Sequence, residues 1–475
     1  MVSLFSKEKR IILARRIGGF WMEFSNKKIG MVGLAVLILF IAMAVFAPIL
    51  SPYDPVAKER LAQPFGMPQW VTIFPQYKDL PTTQEELSYW NIEEGSEFIT
   101  GWGTTANVAY NTEAKGMETV NVKLKHEFDF LSIPPNNFYV TFEWGTTQVQ
   151  DVEYSLQLAI YTPEEKSYIL WTQQTLKASK SEVVYIDSTN PFVITDLGFP
   201  TQTNLAKIIF SEKGEYSLLM KIRFNPLSDN AAVRLVMENS KVTVLGQVHG
   251  ILGTDYVGSD IWVELVYGAR LSLMIGLLAA AVGTGIGILV GVMAGYLGGL
   301  VDEITMRTVD ILMCLPMLPL LLALVYLFGR NIFYIVLFIA IFGWQGLARV
   351  IRSQTLSLRE RAYIETAKAS GASGFYIMTK HIIPNVLPVA LASLTLAVPG
   401  AILFEAALSF LGFGDPRVPT WGKMLQYSYG FGGFTRLAWW WILPPGLAII
   451  SLCLAFVFMG YAFDDIINPR LRRRR

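Results

Sequence analysis

Side chains that do chemistry are scarce in the groupings chemistry needs in this 475-residue chain. Its three histidines, His126, His249 and His381, fall in three separate regions, so no spacing joins them into a metal site. Cys314 and Cys453 sit inside apolar runs and read as packing residues. The phosphate-cradling run Gly-x-x-x-x-Gly-Lys-Ser/Thr is absent, and Gly422-Lys423 lacks both the leading glycine and the following hydroxyl. Nucleotide hydrolysis by this chain is thereby excluded, and any ATP must be bound elsewhere. Glu405 is the one carboxylate well inside an apolar segment. An ionisable group there is costly and faces a cavity or a partner, so a translocation gate and a structural hydrogen bond both fit. Arg307 and Asp310, three apart near a helix start, are expected to form a local ion pair.

The elements around these residues are set by hydrophobicity. With 52% hydrophobic residues, much of the chain belongs in lipid. A bilayer core of about 30 Å takes roughly 20 apolar residues as a helix. Six stretches qualify: 29–49, 271–296, 308–328, 332–348, 386–411 and 441–463. The first is too long for the core of a cleaved signal and is read as a retained helix. Pro316 and Pro319 are expected to kink the third. Lys7, Lys9, Arg10, Arg15, Arg16, Lys27 and Lys28 precede the first span, and Arg470 and Arg472 to Arg475 follow the last. Both termini are therefore expected in the cytoplasm, as is the basic loop between spans four and five. Trp439, Trp440 and Trp441, at the outer start of the last span, read as an interfacial belt, with stacking on a solute as the lesser reading.

The same topology puts residues 56–248 outside. That section holds 15 Lys/Arg and 23 Asp/Glu, leaving 24 bases and 15 acids of the totals of 39 and 38 for the rest. Its apolar residues alternate: Val120, Val122, Leu124, Phe128 and Phe130; Phe138, Val140, Phe142 and Trp144; Tyr154, Leu156, Leu158 and Ile160; Tyr216 to Phe224; Val233 to Met237. Eight or so strands without helical segments between them predict an antiparallel β-sandwich of jelly-roll type. Trp144 continues an apolar face and is assigned to its core. Trp70, Trp90, Trp102 and Trp171 leave open whether the domain captures a ligand, docks another protein or braces the outer mouth.

Residues 363–388 are too polar to span lipid. Helix formers from Glu365 to Lys368 and the natural stop at Gly371 predict a short helix, a turn and a second short helix. The stretch resembles the EAA loop of the membrane subunits of ABC importers, with Thr366 in place of the usual Ala. The resemblance implies that Glu365, Thr366, Ala367, Gly371, Ala372, Ser373 and Pro384 belong to a coupling helix that docks in a cleft of an ATPase subunit. Further motifs are similar to the dipeptide, oligopeptide and nickel branch of that family, in its C-type permease. They are residues 47–55, 249–255, 266–273, 405–414, 419–425 and 468–472; Ser259 replaces a usual Arg.

The resemblance covers 1–60 and 246–475 and implies the six-helix type I ABC importer fold, with the 56–248 insertion outside its pattern. Its domain plan is a basic segment 1–28, a first span 29–50, the insertion, a five-helix core 249–465 with coupling loop 355–384, and a basic tail 466–475. It implies a sister permease, two ATPase subunits that bind ATP and Mg, and an external solute-binding protein as partners in the cell membrane. No cofactor or metal is expected on this chain, and no nucleic acid. Di- and oligopeptides are the implied solutes, with oligosaccharides as the alternative. An ion-coupled secondary transporter would need carboxylates near the midplane that the second and sixth spans lack. A one-anchor surface receptor leaves five spans unexplained.

Overall fold

The computed structural model of the chain describes residues 18–112 and 117–467. The basic residues Lys7 to Arg16 and Arg470 to Arg475 lie outside that range. The chain forms two compact units, one from Met1–Lys58 with Ile261–Arg475 and one from Glu59–Asp260.

The first unit is helical. Its elements are α1 (Lys28–Val45), α2 (Ile261–Leu297), α3 (Gly299–Cys314), α4 (Met317–Phe328), α5 (Ile332–Ile341), α6 (Gln345–Arg359), α7 (Ala362–Ala369), α8 (Gly374–Ile377), α9 (Ile383–Phe410), α10 (Trp421–Gly430) and α11 (Trp439–Ile467). Among the described residues five helices are long and apolar enough to cross a membrane, or six if α3 and α4 count as one broken span. The break is the one the prolines foretell. Leu315-Pro316 turns the chain by 89° between α3 and α4, while Pro319 falls in the first turn of α4, where no N–H is needed.

Polar residues extend four spans beyond their apolar cores, the third starting at Gly299 ahead of 308 and the fifth at Gly374 ahead of 386. α2 starts ten positions ahead of the expected 271 because Glu264, in its first turn, is buried against Lys58 with Nζ 3.0 Å from Oε1. The fourth span runs on to Arg359, since α6 buries Ala348, Ile351 and Thr355 on one face and leaves its arginines on the other. The two arginines at 349 and 352 also correct an expectation. Asp310 pairs with Arg349 at 2.6 Å, not with Arg307, because α6 lies beside α3; Asp302 receives two hydrogen bonds from Arg352. At the last span the tryptophans are not an interfacial belt. Trp441 is fully buried and Trp440 nearly so, which leaves Trp439 alone exposed.

Among the described residues the second unit is a β-sandwich of eleven strands. They are β1 (Gln84–Leu87), β2 (Asn91–Glu94), β3 (Ile99–Gly101), β4 (Ala106–Asn111), β5 (Val120–Phe130), β6 (Phe138–Gln150), β7 (Val152–Tyr161), β8 (Ser167–Leu176), β9 (Ser181–Asp187), β10 (Gly214–Pro226) and β11 (Ala232–Val244). One sheet runs β3-β4-β11-β6-β9 with β1 also on β11; the other runs β2-β5-β10-β7-β8. Strands β4 to β7 and β8 to β11 thus alternate between the sheets, with β7 and β8 paired in one sheet, which is jelly-roll order. Met220 pairs with Leu124 on one side and Leu158 on the other, and all three point into the core. Two short helices, Pro191–Asp196 and Leu205–Ile209, interrupt the all-strand expectation between β9 and β10. Asn190 and Asn204 cap them, and the second delivers Ile209 and the adjoining Phe210 to the core. Trp90 and Trp144 are core residues, whereas Trp70 and Trp102 are exposed.

This unit ends at Asp260 because residues 249–260 fold back onto its start. His249 N–H donates to the Met67 carbonyl, Thr254 N–H to Gly66, and Leu61 N–H to Gly258, each at 2.9 Å. Asp255 is buried, and its Oδ1 accepts from the N–H groups of Val257, Gly258 and Ser259 at 2.8 to 3.0 Å. Ser259 closes the neck by donating its Oγ–H to the Glu59 carbonyl at 3.0 Å.

His126 replaces an apolar residue in the inward row of β5. Its Nδ1 accepts from the Tyr89 N–H at 3.2 Å, and burial lowers its pKa below the usual value, against smaller opposing effects of Glu86 and Glu127. The folded unit therefore refuses a proton that the unfolded chain accepts near pH ~6.5. Stability is complete above that pH and falls below it, by at most about 1.4 kcal/mol per pH unit for this group. Urea unfolding of the detergent-solubilised chain, followed by tryptophan fluorescence at pH 7 and pH 5, is expected to show that loss, and His126→Gln to reduce it.

Candidate functional site

The polar segment after α6 is built as a rigid projection. α7 closes in a paired C-terminal motif: Ala372 N–H reaches back to the Ala367 carbonyl and Gly371 N–H to that of Lys368, both at 3.0 Å. Gly371 has φ +80°, a left-handed conformation that other residues adopt only with strain. Ser373 then caps α8, its Oγ accepting the Tyr376 N–H at 3.3 Å. The expected second short helix does not end. It passes through a wide turn at Met378–Ile382 into α9, so Gly374–Phe410 is one continuous helix, with Pro384 in the first turn of α9.

One apolar cluster holds this projection. Ile364 of α7, Ile377 of α8 and Ile382 are fully buried with Val292 of α2, Ile351 of α6, and Val386 and Ala390 of α9. Lys368 lies over the ring of Tyr296 at 5.4 Å, and Gly374 packs on the same ring. The opposite face is left open. Glu365, Thr366, Gly371, Ser373 and Pro384 are exposed, Ala367 and Ala372 half-buried, and Glu365 forms no ion pair among the described residues. All seven residues marked in the sequence therefore belong to one structure, though Pro384 sits on α9.

Glu405 is elsewhere. It is 2% exposed, and its Oε1 accepts from Ser409 Oγ at 2.6 Å near the end of α9. The structural hydrogen bond is realised, and Glu405 does not line the cavity described next.

Sequence reasoning missed that cavity. It has a volume of about 380 Å³ and lies where the α3–α4 bend, the α5–α6 break at residues 342–344 and the small residues of α2 and α9 meet. Irregular backbone within membrane spans is tolerated where it is buried or lines a cavity, so two neighbouring breaks mark such a place. Of the glycines spaced by four on α2, only Gly283 lines the cavity, while Gly287, Gly291 and Gly295 pack on α6.

A bundle of apolar helices that encloses a cavity and carries a rigidly mounted polar projection is the architecture of a membrane transport component. The chain belongs to the family described as binding-protein-dependent transport system inner membrane component, whose profile matches residues 287–473. A second profile, the N-terminal TM domain of oligopeptide transport permease C, matches residues 17–65. Its helical unit accordingly has the type I ABC importer permease fold. The oligopeptide transport system permease protein OppC of Escherichia coli strain K12 is 42% identical over 221 residues, 46% of this chain and 72% of that protein. Among solved structures, an inward-facing MetNI methionine ABC transporter is 19% identical, covering 43% of this chain and 95% of its own, with a TM-score of 0.35. TmCBM61 in complex with β-1,4-galactotriose is 12% identical, covering 33% and 89%, with a TM-score of 0.18.

Truncating the anchor should loosen the projection alone. Ile377→Ala removes a side chain with no exposure, at a cost of about 2–5 kcal/mol. Amide exchange across 362–377 should accelerate roughly 30-fold or more, with rates in the β unit unchanged.

Proposed function

We propose that this chain is one permease subunit of an ATP-driven importer of di- and oligopeptides. The observation that carries the reading is the exposed face of α7 and the turn after it, mounted on a cluster that also grips α2, α6 and α9. A docking element needs an open face and a stiff mount. Small residues at Ala367, Gly371, Ala372 and Ser373 allow a partner's surface to approach closely, while Glu365 offers it an uncommitted carboxylate. In this reading a sister permease completes the pathway and two cytoplasmic ATPase subunits bind ATP and Mg. An external binding protein delivers the solute. Both chain termini and the α7–α8 projection face the cytoplasm, and the β unit faces outward.

Closure of the ATPases on ATP would pull the projection and, through its mount, turn the ends of α2, α6 and α9 so that the cavity opens outward; hydrolysis would let it return. The chain itself performs no chemistry in this cycle. Peptide as the solute is supported by the 42% identity to an oligopeptide permease.

The test has two parts. Affinity purification of the chain from its native membrane in mild detergent should bring down two ATPase subunits and a second permease. In vesicles holding that complex, Glu365→Ala should lower ATP-driven uptake about tenfold, the scale of one hydrogen bond to a charged group. Gly371→Pro, which cannot hold φ +80°, should uncouple ATP hydrolysis from uptake. A chain that purifies alone and moves solute without ATP would defeat the reading.

A further inference from the structure

The cavity holds polar groups that the protein leaves without partners. Gln345 is 6% exposed and Thr284 is 7%, yet neither side chain hydrogen-bonds to another described residue, and both line the cavity. Ser393 of α9 joins them in its wall. Two helices also begin there without a side-chain cap, α4 after Pro316 and α6 after Trp344. An uncapped helix start presents N–H groups and the positive end of the helix dipole. The rest of the wall is small or apolar, and no lining residue is ionisable.

These features select a ligand chemistry. The polar atoms of Gln345 and Thr284 reach the cavity, so a guest that matches them replaces water at no loss of hydrogen bonds. The two helix starts add N–H donors, and the ends of α3 and α5, whose last turns also line the wall, add carbonyl acceptors, so a fitting guest carries both donors and acceptors. An uncharged wall neither attracts nor rejects a guest by the charge of its side chains. We infer that this cavity is a binding station for peptide backbone in transit, with Gln345, Thr284 and the first N–H groups of α4 and α6 donating to its carbonyl oxygens. Gln345 also accepts a backbone N–H through its own carbonyl, as one amide pairs with another. The inference rests on the peptide reading above and adds to it the residues that touch the solute.

The experiment uses the complete complex purified with its partners, reconstituted into vesicles and supplied with radiolabelled tri-alanine. The double variant Gln345→Leu/Thr284→Val keeps side-chain size but removes both polar groups. Its uptake is expected to fall about tenfold, as two lost hydrogen bonds dictate. ATPase stimulation by the loaded binding protein, which reads the coupling projection, should stay within twofold. Thr284→Ser keeps the hydroxyl and should transport within twofold of the wild type, against a several-fold loss for Thr284→Val. That pair decides the matter if the double variant fails to copurify with the ATPases. Normal uptake in the valine and double variants overturns the station and leaves the peptide reading intact. A wild-type complex that takes up no tri-alanine overturns the peptide reading and the station with it.

Discussion

The helical unit depends on how closely α2 can lie against α6. A Cβ at Gly291 would come 2.6 Å from the Ala348 carbonyl, and one at Gly295 would come 2.7 Å from the Thr355 side chain. With glycine at both positions the backbones approach, and van der Waals contact replaces the hydrophobic drive that lipid cannot supply between helices. Much follows from that contact. It fixes the rotation of α6, so Ile351 enters the cluster under the coupling projection while Arg349 and Arg352 reach Asp310 and Asp302 on α3. The ion pair to Asp310 is about half exposed at both ends and adds little stability; its value is in register.

A second constraint explains how about 200 residues fit between two adjacent spans. The β unit begins and ends at one place, where Leu61 meets Gly258 and Ser259 meets Glu59. Asp255, holding three backbone N–H groups, keeps the returning strand in a tight turn. An insertion whose ends are joined by hydrogen bonds asks little of its host, because the helices on either side need not move apart to accept it. The motif around Gly253, Thr254 and Asp255 is thus part of the neck.

The parts legible in the sequence were those where one physical force dominates. Burial in two sheets imposes period two, so the inward rows of β5, β6, β7 and β10 could be read residue by residue. Lipid imposes length, so the apolar cores of the spans were found, and what escaped were the polar extensions of α2, α3, α6 and the helix Gly374–Phe410. Gly371 and Ser373 were legible as a stop and a restart because each side chain, or its absence, acts on its own backbone. What escaped depends on pairing across the chain. Asp310 chose Arg349 over a neighbour on its own helix, and Trp440 and Trp441 went to the core in spite of their place at a helix start. Strands β8 and β9 were hidden by many exposed positions, among them Gln174, Val183 and Tyr185. The cavity was unreadable because it belongs to four segments at once.

The α7–α8 projection and the cavity share two helices. α6 carries Gln345 at its first position and ends at Arg359, one bend before α7. At about 1.5 Å per residue its 15 residues span roughly 22 Å. The helix Gly374–Phe410 carries Ser393 of the cavity wall and begins directly after the Gly371 turn. In the proposed cycle, force applied to the projection would reach both walls of the cavity through these two helices. The backbone breaks at Leu315-Pro316 and at residues 342–344 both line the cavity. A pull on the projection would there change the shape of the cavity rather than strain the helices, as the proposed alternating access requires.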